Sequence, residues 1–350
     1  MPRIRTSEEF WAVTGGLLGF FLIVGAAAVG LDRLDFEEWS GILTLTALVA
    51  MTLPVLSWLS SKEGDQSLMR LLVFGMIATV VGVVVRYFVV KVVYNDVADA
   101  GVYSDGAAEI AKLMKNGVFT SVPPNLEGRP PETQRVALVL SFFYLVTGAS
   151  RWAGSVVFAW MAFGGRLLMW RALKLAVPEA DHRRYLLLLL FFPSLLYWPA
   201  SIGKEALMMP ALGVVSYGAA LLLSDKVRAG SIVVFVGGVA GLVVIRPHYG
   251  ALAVMALGVG SLVGTLRGVG GGAGLRSTLV RVVALGVLLV VAVVVLSQTA
   301  RFFGGEGSEG GLSSALEKTL DQTTTGGSSF DPPAVDTPVK LPAGVATVFF

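Results

Sequence analysis

Apolar residues in this chain run in long unbroken stretches, not in the spaced stripe of a helix half-immersed in water. About 20 apolar residues carry a helix across a bilayer. Reading along the chain, such stretches are Phe10–Gly30, Trp39–Leu59, Leu68–Tyr94, Trp152–Val177, Tyr185–Ala200, Glu205–Leu223, Ser231–Ile245, Tyr249–Leu266 and Thr278–Ser297, with a shorter one at Val136–Ala149. The pattern predicts an all-α, polytopic integral membrane protein of about 9–11 transmembrane helices with a re-entrant or interfacial segment. Residues 1–350 form a single transmembrane domain, interrupted by an outer loop over 95–134 with an interfacial helix and a flexible outer loop over 301–340. Ala26-Ala27-Ala28 looks like a signal-peptidase site, but Glu8 and Glu9 spoil the basic leader, so the first stretch is read as an uncleaved helix. Leu341–Phe350 reads as the beginning of another helix, and the expectation is a C-terminally truncated piece of a longer protein.

Lys and Arg in short connections mark the cytoplasmic side. The basic connections hold Arg166, Arg171, Lys174, Arg183 and Arg184, then Lys226 and Arg228, then Arg267, Arg276 and Arg281. The first connection, Asp32–Glu38, is acidic. This places the N-terminus in the cytoplasm, and Asn95–Gln134, Ser201–Lys204, Arg246–His248 and Arg301–Lys340 outside. Parity then requires an odd number of crossings between the long outer loop and Arg183, although two apolar stretches lie there, divided at Gly148-Ala149-Ser150-Arg151. The shorter, Val136–Ala149, is expected to be re-entrant or tilted in the outer leaflet. Two full crossings would invert half the topology.

Composition sharpens this. Charged residues make up 15% and apolar residues 55%, against roughly a quarter charged in soluble domains, and mean hydropathy is +0.74. The formal charge of +3 is dispersed, giving no nucleic-acid-binding footprint. Cysteine is absent, which excludes disulfides, thiolate catalysis and Cys-based metal sites. Two histidines, His182 and His248, are too few for a His-rich metal site. No phosphate-binding G-x-x-x-x-G-K-[ST] loop occurs.

Ionisable residues near membrane depth are costly and tend to be functional. Three groups qualify. The first is Phe192–Glu205, where Pro193, Pro199 and, just beyond, Pro210 are expected to interrupt an apolar helix pair around Lys204 and Glu205. A helix start carrying a lysine suits an anion such as phosphate; a lysine reaching for the interface is the plainer alternative. The second is Arg246-Pro247-His248-Tyr249, in a short turn on the same expected side. Arg246 can bind phosphate with two donors, and His248 can add a hydrogen bond or a proton relay; an interfacial anchor is the alternative. The third is Asn95–Gly106, with Asp96, Asp99, Tyr103 and Asp105, followed by a short amphipathic helix over Ala107–Lys115 suited to a membrane surface. A carboxylate there can serve as general base or metal ligand; an ordinary acidic outer loop is the alternative. In the third long stretch Lys91 snorkels, and Arg86, deeper, is placed to pair with a loop carboxylate.

Asp99-Ala100-x-x-Tyr103, Phe192-Pro193-Ser194 leading to Trp198 and Gly203-Lys204-Glu205, and Arg246-Pro247-His248 together resemble bacterial membrane proteins of polysaccharide assembly: C-type (GT-C) glycosyltransferases and O-antigen-type polymerases. The likeness covers roughly Asp96 to His248; the paired Asp-Glu or Glu-x-Asp signature of several such families is missing. It implies a glycosyltransferase or polymerase in the bacterial plasma membrane. The enzyme would use a polyprenyl-phosphate-linked sugar on the extracytoplasmic face, with a glycan or lipid acceptor. Asp99 would be the catalytic base, with Asp96 and Asp105 as rivals and Glu205 as a further carboxylate. Lys204, Arg246, His248 and Tyr103 would hold the lipid phosphate. No resident cofactor is implied, with a divalent metal left open. A transporter or flippase of lipid-linked sugar or another anion is the alternative from a different class.

Overall fold

The computed structural model describes residues 35–93, 99–120, 122–224 and 229–266, together with two single helical positions, Gly286 and Val293. The expectations for Phe10–Gly30, Asp96, Lys226–Arg228, Arg267–Ser297 apart from those two positions, Arg301–Lys340 and Leu341–Phe350 lie outside the described residues. Among the described residues every regular element is helical: α1 Phe36–Glu63, α2 Gln66–Phe88 continued by a π-helical turn Val89–Val93, α3 Asp99–Lys115, α4 Pro131–Thr147, α5 Arg151–Ala176, α6 His182–Phe191, α7 Pro193–Tyr197, α8 Lys204–Leu223, α9 Ala229–Ile245 and α10 Pro247–Leu266. Four of these stretches, α1, α2 with its π turn, α5 and α8, are long and apolar enough to cross a membrane.

Local chemistry fixes the helix ends. Asp35 caps α1 by accepting from the Glu38 N–H at 3.3 Å. Glu37 and Glu38 lie in its first turn and Lys62 in its last, both favourable to the helix dipole. Gly64, at φ 68°, ends α1 in the left-handed region that glycine adopts readily. Asp65 then caps α2 by accepting from the Ser67 N–H at 2.8 Å. Ser150 does the same for α5, accepting from the Ala153 N–H at 3.1 Å.

α5 is the central post. In its apolar window 56% of residues are buried, against 17% for α1, so α1 presents most of its surface outward. α5 and α8 cross where neither carries a side chain: a Cβ on Gly165 would stand 2.3 Å from the Met209 carbonyl oxygen, and one on Gly213 would stand 2.4 Å from the Gly165 carbonyl oxygen. This backbone-to-backbone approach is how helices associate where water offers no driving force. α8 and α9 repeat it in antiparallel sense, Gly218 beside Phe235 and Gly238 beside Val215. Arg166 of α5 is almost wholly buried. It donates to Thr79 Oγ1 of α2 at 2.8 Å and to the Leu189 carbonyl of α6 at 3.4 Å, tying three helices together.

The ends of the bundle differ. At one, which we call the Lys174 end, Lys174 pairs with Glu63 and Ser60 donates to the Asp65 carbonyl at 2.7 Å. At the other, the Lys204 end, Ser40 donates to the Thr147 carbonyl at 2.6 Å, Ser150 donates to the Glu37 carbonyl at 2.9 Å, and Tyr87 donates to Glu37 at 3.2 Å. Both ends of α4 meet this second end: Glu132 reaches Lys204 at the start of α8, and Thr147 meets the start of α1. The stretch expected as Tyr185–Ala200 is divided: Pro193 starts a new short helix because it donates no backbone hydrogen bond, and Phe192 before it is extended at ψ 122°.

Candidate functional site

The polar groups named from sequence gather at the Lys204 end, on four separate elements. α8 begins there with Gly203, which offers no side-chain cap; the first-turn N–H groups of α8 thus lack the usual Ser, Thr or Asp acceptor. Lys204 Nζ lies 3.5 Å from Glu132 Oε1, with side chains only 18% and 13% exposed. Next to it, Glu205 Oε1 accepts from Arg246 Nη2 at 2.8 Å. Arg246 occupies the turn between α9 and α10, where its own N–H donates to the Leu242 carbonyl at 2.6 Å. Arg135, one turn after Glu132 on α4, donates to the Val244 carbonyl at the end of α9. A cation there satisfies a terminal carbonyl and the negative end of the helix dipole.

α3 closes this cluster from another side. It starts at Asp99, well before the helix expected over Ala107–Lys115, so Asp99, Tyr103 and Asp105 are helical rather than in a loop. Asp99 and Tyr103 are one turn apart and share a face; Asp105 lies on another. The Tyr103 ring is 3% exposed, packed among Ala107, Ala137, Leu140 and Ile202. Its hydroxyl is pushed above the ordinary tyrosine range by burial first. The negative charges of Asp99 and Glu205, and more weakly Glu132, add to this against the opposing Arg246. Tyr103 thus sits in the field of both ion pairs. Asp99 itself is exposed. Asp105, also exposed, faces Arg151 at the start of α5, 3.7 Å away; Gly101 lets that guanidinium pass close to the α3 backbone. The His248 ring lies tilted against that of Tyr249, with centroids 4.8 Å apart, and Tyr249 packs against the Tyr103 cluster.

The structure therefore brings Lys204, Glu205, Arg246 and Tyr103 together and sets Asp105 apart with Arg151. Sequence reasoning missed Glu132, Arg135 and Arg151. Glu132 had a readable signal: it follows Pro130-Pro131 and falls in the first turn of a helix with proline at its start. The expected pairing of Arg86 with a loop carboxylate is not found among the described residues. Its guanidinium lies over Tyr197 and Trp198 instead, 4.5 and 4.9 Å from the ring centroids, because the break at Phe192-Pro193 swings those aromatics against α2. Lys91 lies over Tyr87, 5.7 Å from the ring centroid.

No protein-family model, curated protein or solved structure matches this chain.

Chemically, the arrangement holds two cation–carboxylate pairs at a helix start that has no capping side chain. Paired charges of this kind exchange partners when a stronger anion arrives, since phosphate offers Lys and Arg more acceptor oxygens than one carboxylate. Among the described residues, no three acidic or imidazole groups stand close enough to form a metal shell. A separate cleft of about 380 Å³ at the Lys174 end is lined by Glu63, Asp65, Lys174 and Asp181. Lys174 there already pairs with Glu63, and Asp65 accepts from the Ser67 hydroxyl.

Proposed function

We propose that this protein is a membrane glycosyltransferase or polysaccharide polymerase that takes a polyprenyl-phosphate-linked sugar at the Lys204 end. The observation that carries the reading is that Arg246, from the turn between α9 and α10, meets Lys204 and Glu205 at the open start of α8. The phosphate of the donor displaces Glu132 and Glu205 as partner of these cations, and the α8 N-terminus adds its dipole. The acceptor hydroxyl oxygen attacks the anomeric carbon. The bond from that carbon to the phosphate oxygen breaks, and the phosphate leaves with the electron pair, stabilised by Lys204 and Arg246. The proton passes to a carboxylate, for which Asp99 is the choice: it is exposed, and it stands one turn from Tyr103, which feels the same ion pairs.

The Lys204 end faces the cell exterior in this reading. The connections at the other end carry Lys62, Arg70, Arg183 and Arg184, and basic short connections are the mark of the cytoplasmic side. α4, with both ends at the Lys204 end, lies in the outer leaflet, so α5 alone crosses between the outer loop and Arg183.

The decisive experiment is binding of polyprenyl-phosphate sugar to the purified protein in nanodiscs, followed by sugar transfer. Lys204→Ala and Arg246→Ala each lower affinity at least tenfold, and Asp99→Asn binds normally but does not transfer. Because removing Lys204 strands Glu132, the double variant Lys204→Gln with Glu132→Gln serves as a folded control that must also lose binding. Unchanged binding in all three cation variants overturns the site. A transporter reading is favoured by the break between α6 and α7, a device that transporters use at substrate sites. Binding without transfer, coupled to movement of the lipid between leaflets in vesicles, decides for it.

A further inference from the structure

A groove of about 650 Å³ runs along the outside of the bundle between α2 and the α6–α7 pair. Phe74, Ile77, Val81 and Val85 form one wall and Leu187 and Phe191 the other. All six of these side chains are exposed, Phe191 the least of them. α2 is long and apolar enough to cross a membrane, so the groove runs along a spanning helix and opens sideways toward hydrocarbon. Gly82 lines its floor and brings α2 onto the α7 backbone: a Cβ there would lie 3.1 Å from the Leu196 carbonyl oxygen.

The groove ends under a cation. Arg86 stands one turn beyond Gly82 on the same face of α2, and the Tyr197 ring, which lines the groove, lies under its guanidinium at 4.5 Å. Trp198 covers it at 4.9 Å. Stacking uses the flat faces of a guanidinium and leaves its N–H edge for acceptors. Here Nε and Nη1 are shielded from solvent and have no hydrogen-bond partner. Arg86 belongs to none of the ion pairs among the described residues. Charged N–H donors held without an acceptor are costly, and an anion bonded to the guanidinium removes that cost. Tyr87 reaches Glu37 at the Lys204 end, so Arg86 lies near that end, the level at which tyrosine and tryptophan collect in membrane proteins and at which lipid phosphates sit.

We infer that this groove holds one hydrocarbon chain of an anionic bilayer phospholipid whose phosphate pairs with Arg86. The site is separate from the Lys204 cluster and does not depend on the activity proposed for it. A hydrocarbon tail alone would fill the apolar walls but leave the Arg86 edge unanswered, and a soluble anion would leave the walls bare to lipid tails.

The absence of cysteine makes a local test direct. A bimane label on Val81→Cys reports on the groove, and one on Met51→Cys, on the outward surface of α1, reports on ordinary lipid contact. Each is reconstituted in phosphatidylcholine bilayers with brominated phosphatidylglycerol or brominated phosphatidylcholine as quencher. At Val81 the phosphatidylglycerol is preferred about fivefold, the ratio that about 1 kcal/mol per basic residue gives at a membrane surface. At Met51 the two quench alike. Adding Arg86→Gln brings the ratio at Val81 to one and leaves the Met51 signal unchanged, which also shows that the bundle is intact. Equal quenching by both lipids at Val81, or a preference that survives Arg86→Gln, overturns the proposal.

Discussion

Tyr103 shows how far a single residue's setting departs from its identity. In the sequence it is an aromatic in an acidic stretch; in the fold it is buried between two helices within the field of Asp99 and Glu205. Burial and the nearby carboxylates both oppose a phenolate, so the folded-state pKa is raised above the unfolded value near 10. The unfolded chain therefore loses this proton first. The stability that Tyr103 contributes is fully present below about pH 10 and declines as the pH rises beyond it. In a spectrophotometric titration, the phenolate absorbance removed by Tyr103→Phe should emerge only well above pH 10. Emergence at or below 10 would show that the ring is not packed beneath the ion pairs. Lys204 and Arg246 were legible as unusual residues, because a cation next to apolar helices is expensive. The pairings were not, since nothing in the local sequence joins Glu132 to Lys204 across 72 positions.

For the elements, the apolar stretches gave the right positions for α1, α2, α5 and α8, because length and hydropathy alone decide whether a segment can span. They gave less for α3, where Gly101 and Gly106 weaken helix propensity, although residues from Asp99 onward are helical. A Cβ on Gly106 would stand 2.4 Å from Leu126 Cδ1, so that glycine is there for contact rather than for a turn. The crossing of α5 and α8 rests on Gly165 and Gly213. Gly213→Val is expected to lower stability by about 1–3 kcal/mol, the range for overpacking a close interface, or to prevent folding outright. Gly164→Ala, at a position with open space around the would-be Cβ, should be near neutral. The contrast is read as the thermal midpoint in detergent. Equal midpoints for both variants would mean that the two helices do not approach at Gly213.

For the whole molecule, the element contacts separate two ends of the bundle, and the proposed orientation assigns one end to each side of the membrane. Lys115, at the end of α3, and Arg184, in the first turn of α6, belong to opposite ends of the bundle. Single cysteines placed at these exposed positions in the otherwise cysteine-free chain should react with an impermeant maleimide from opposite sides of a sealed vesicle, Lys115→Cys from the outside of the cell and Arg184→Cys from within. Labelling of both from one side would mean that α4 crosses and that the parity is wrong.

The sequence by itself determined that this is an all-helical chain built for a bilayer, because runs of apolar residues and the scarcity of charge are one-dimensional properties that no arrangement in space can undo. It also singled out Lys204, Arg246 and the Asp99 stretch, since polar groups beside apolar helices are conspicuous wherever they fold. Only the tertiary structure decided which charges meet, that Arg86 turns to aromatics rather than to a carboxylate, and that both ends of α4 belong to the Lys204 end. Those outcomes depend on distances of a few ångströms between helices far apart in the chain. Close approach at Gly165 and Gly213 and the break at Pro193 set those distances, and periodicity along the chain carries no record of them.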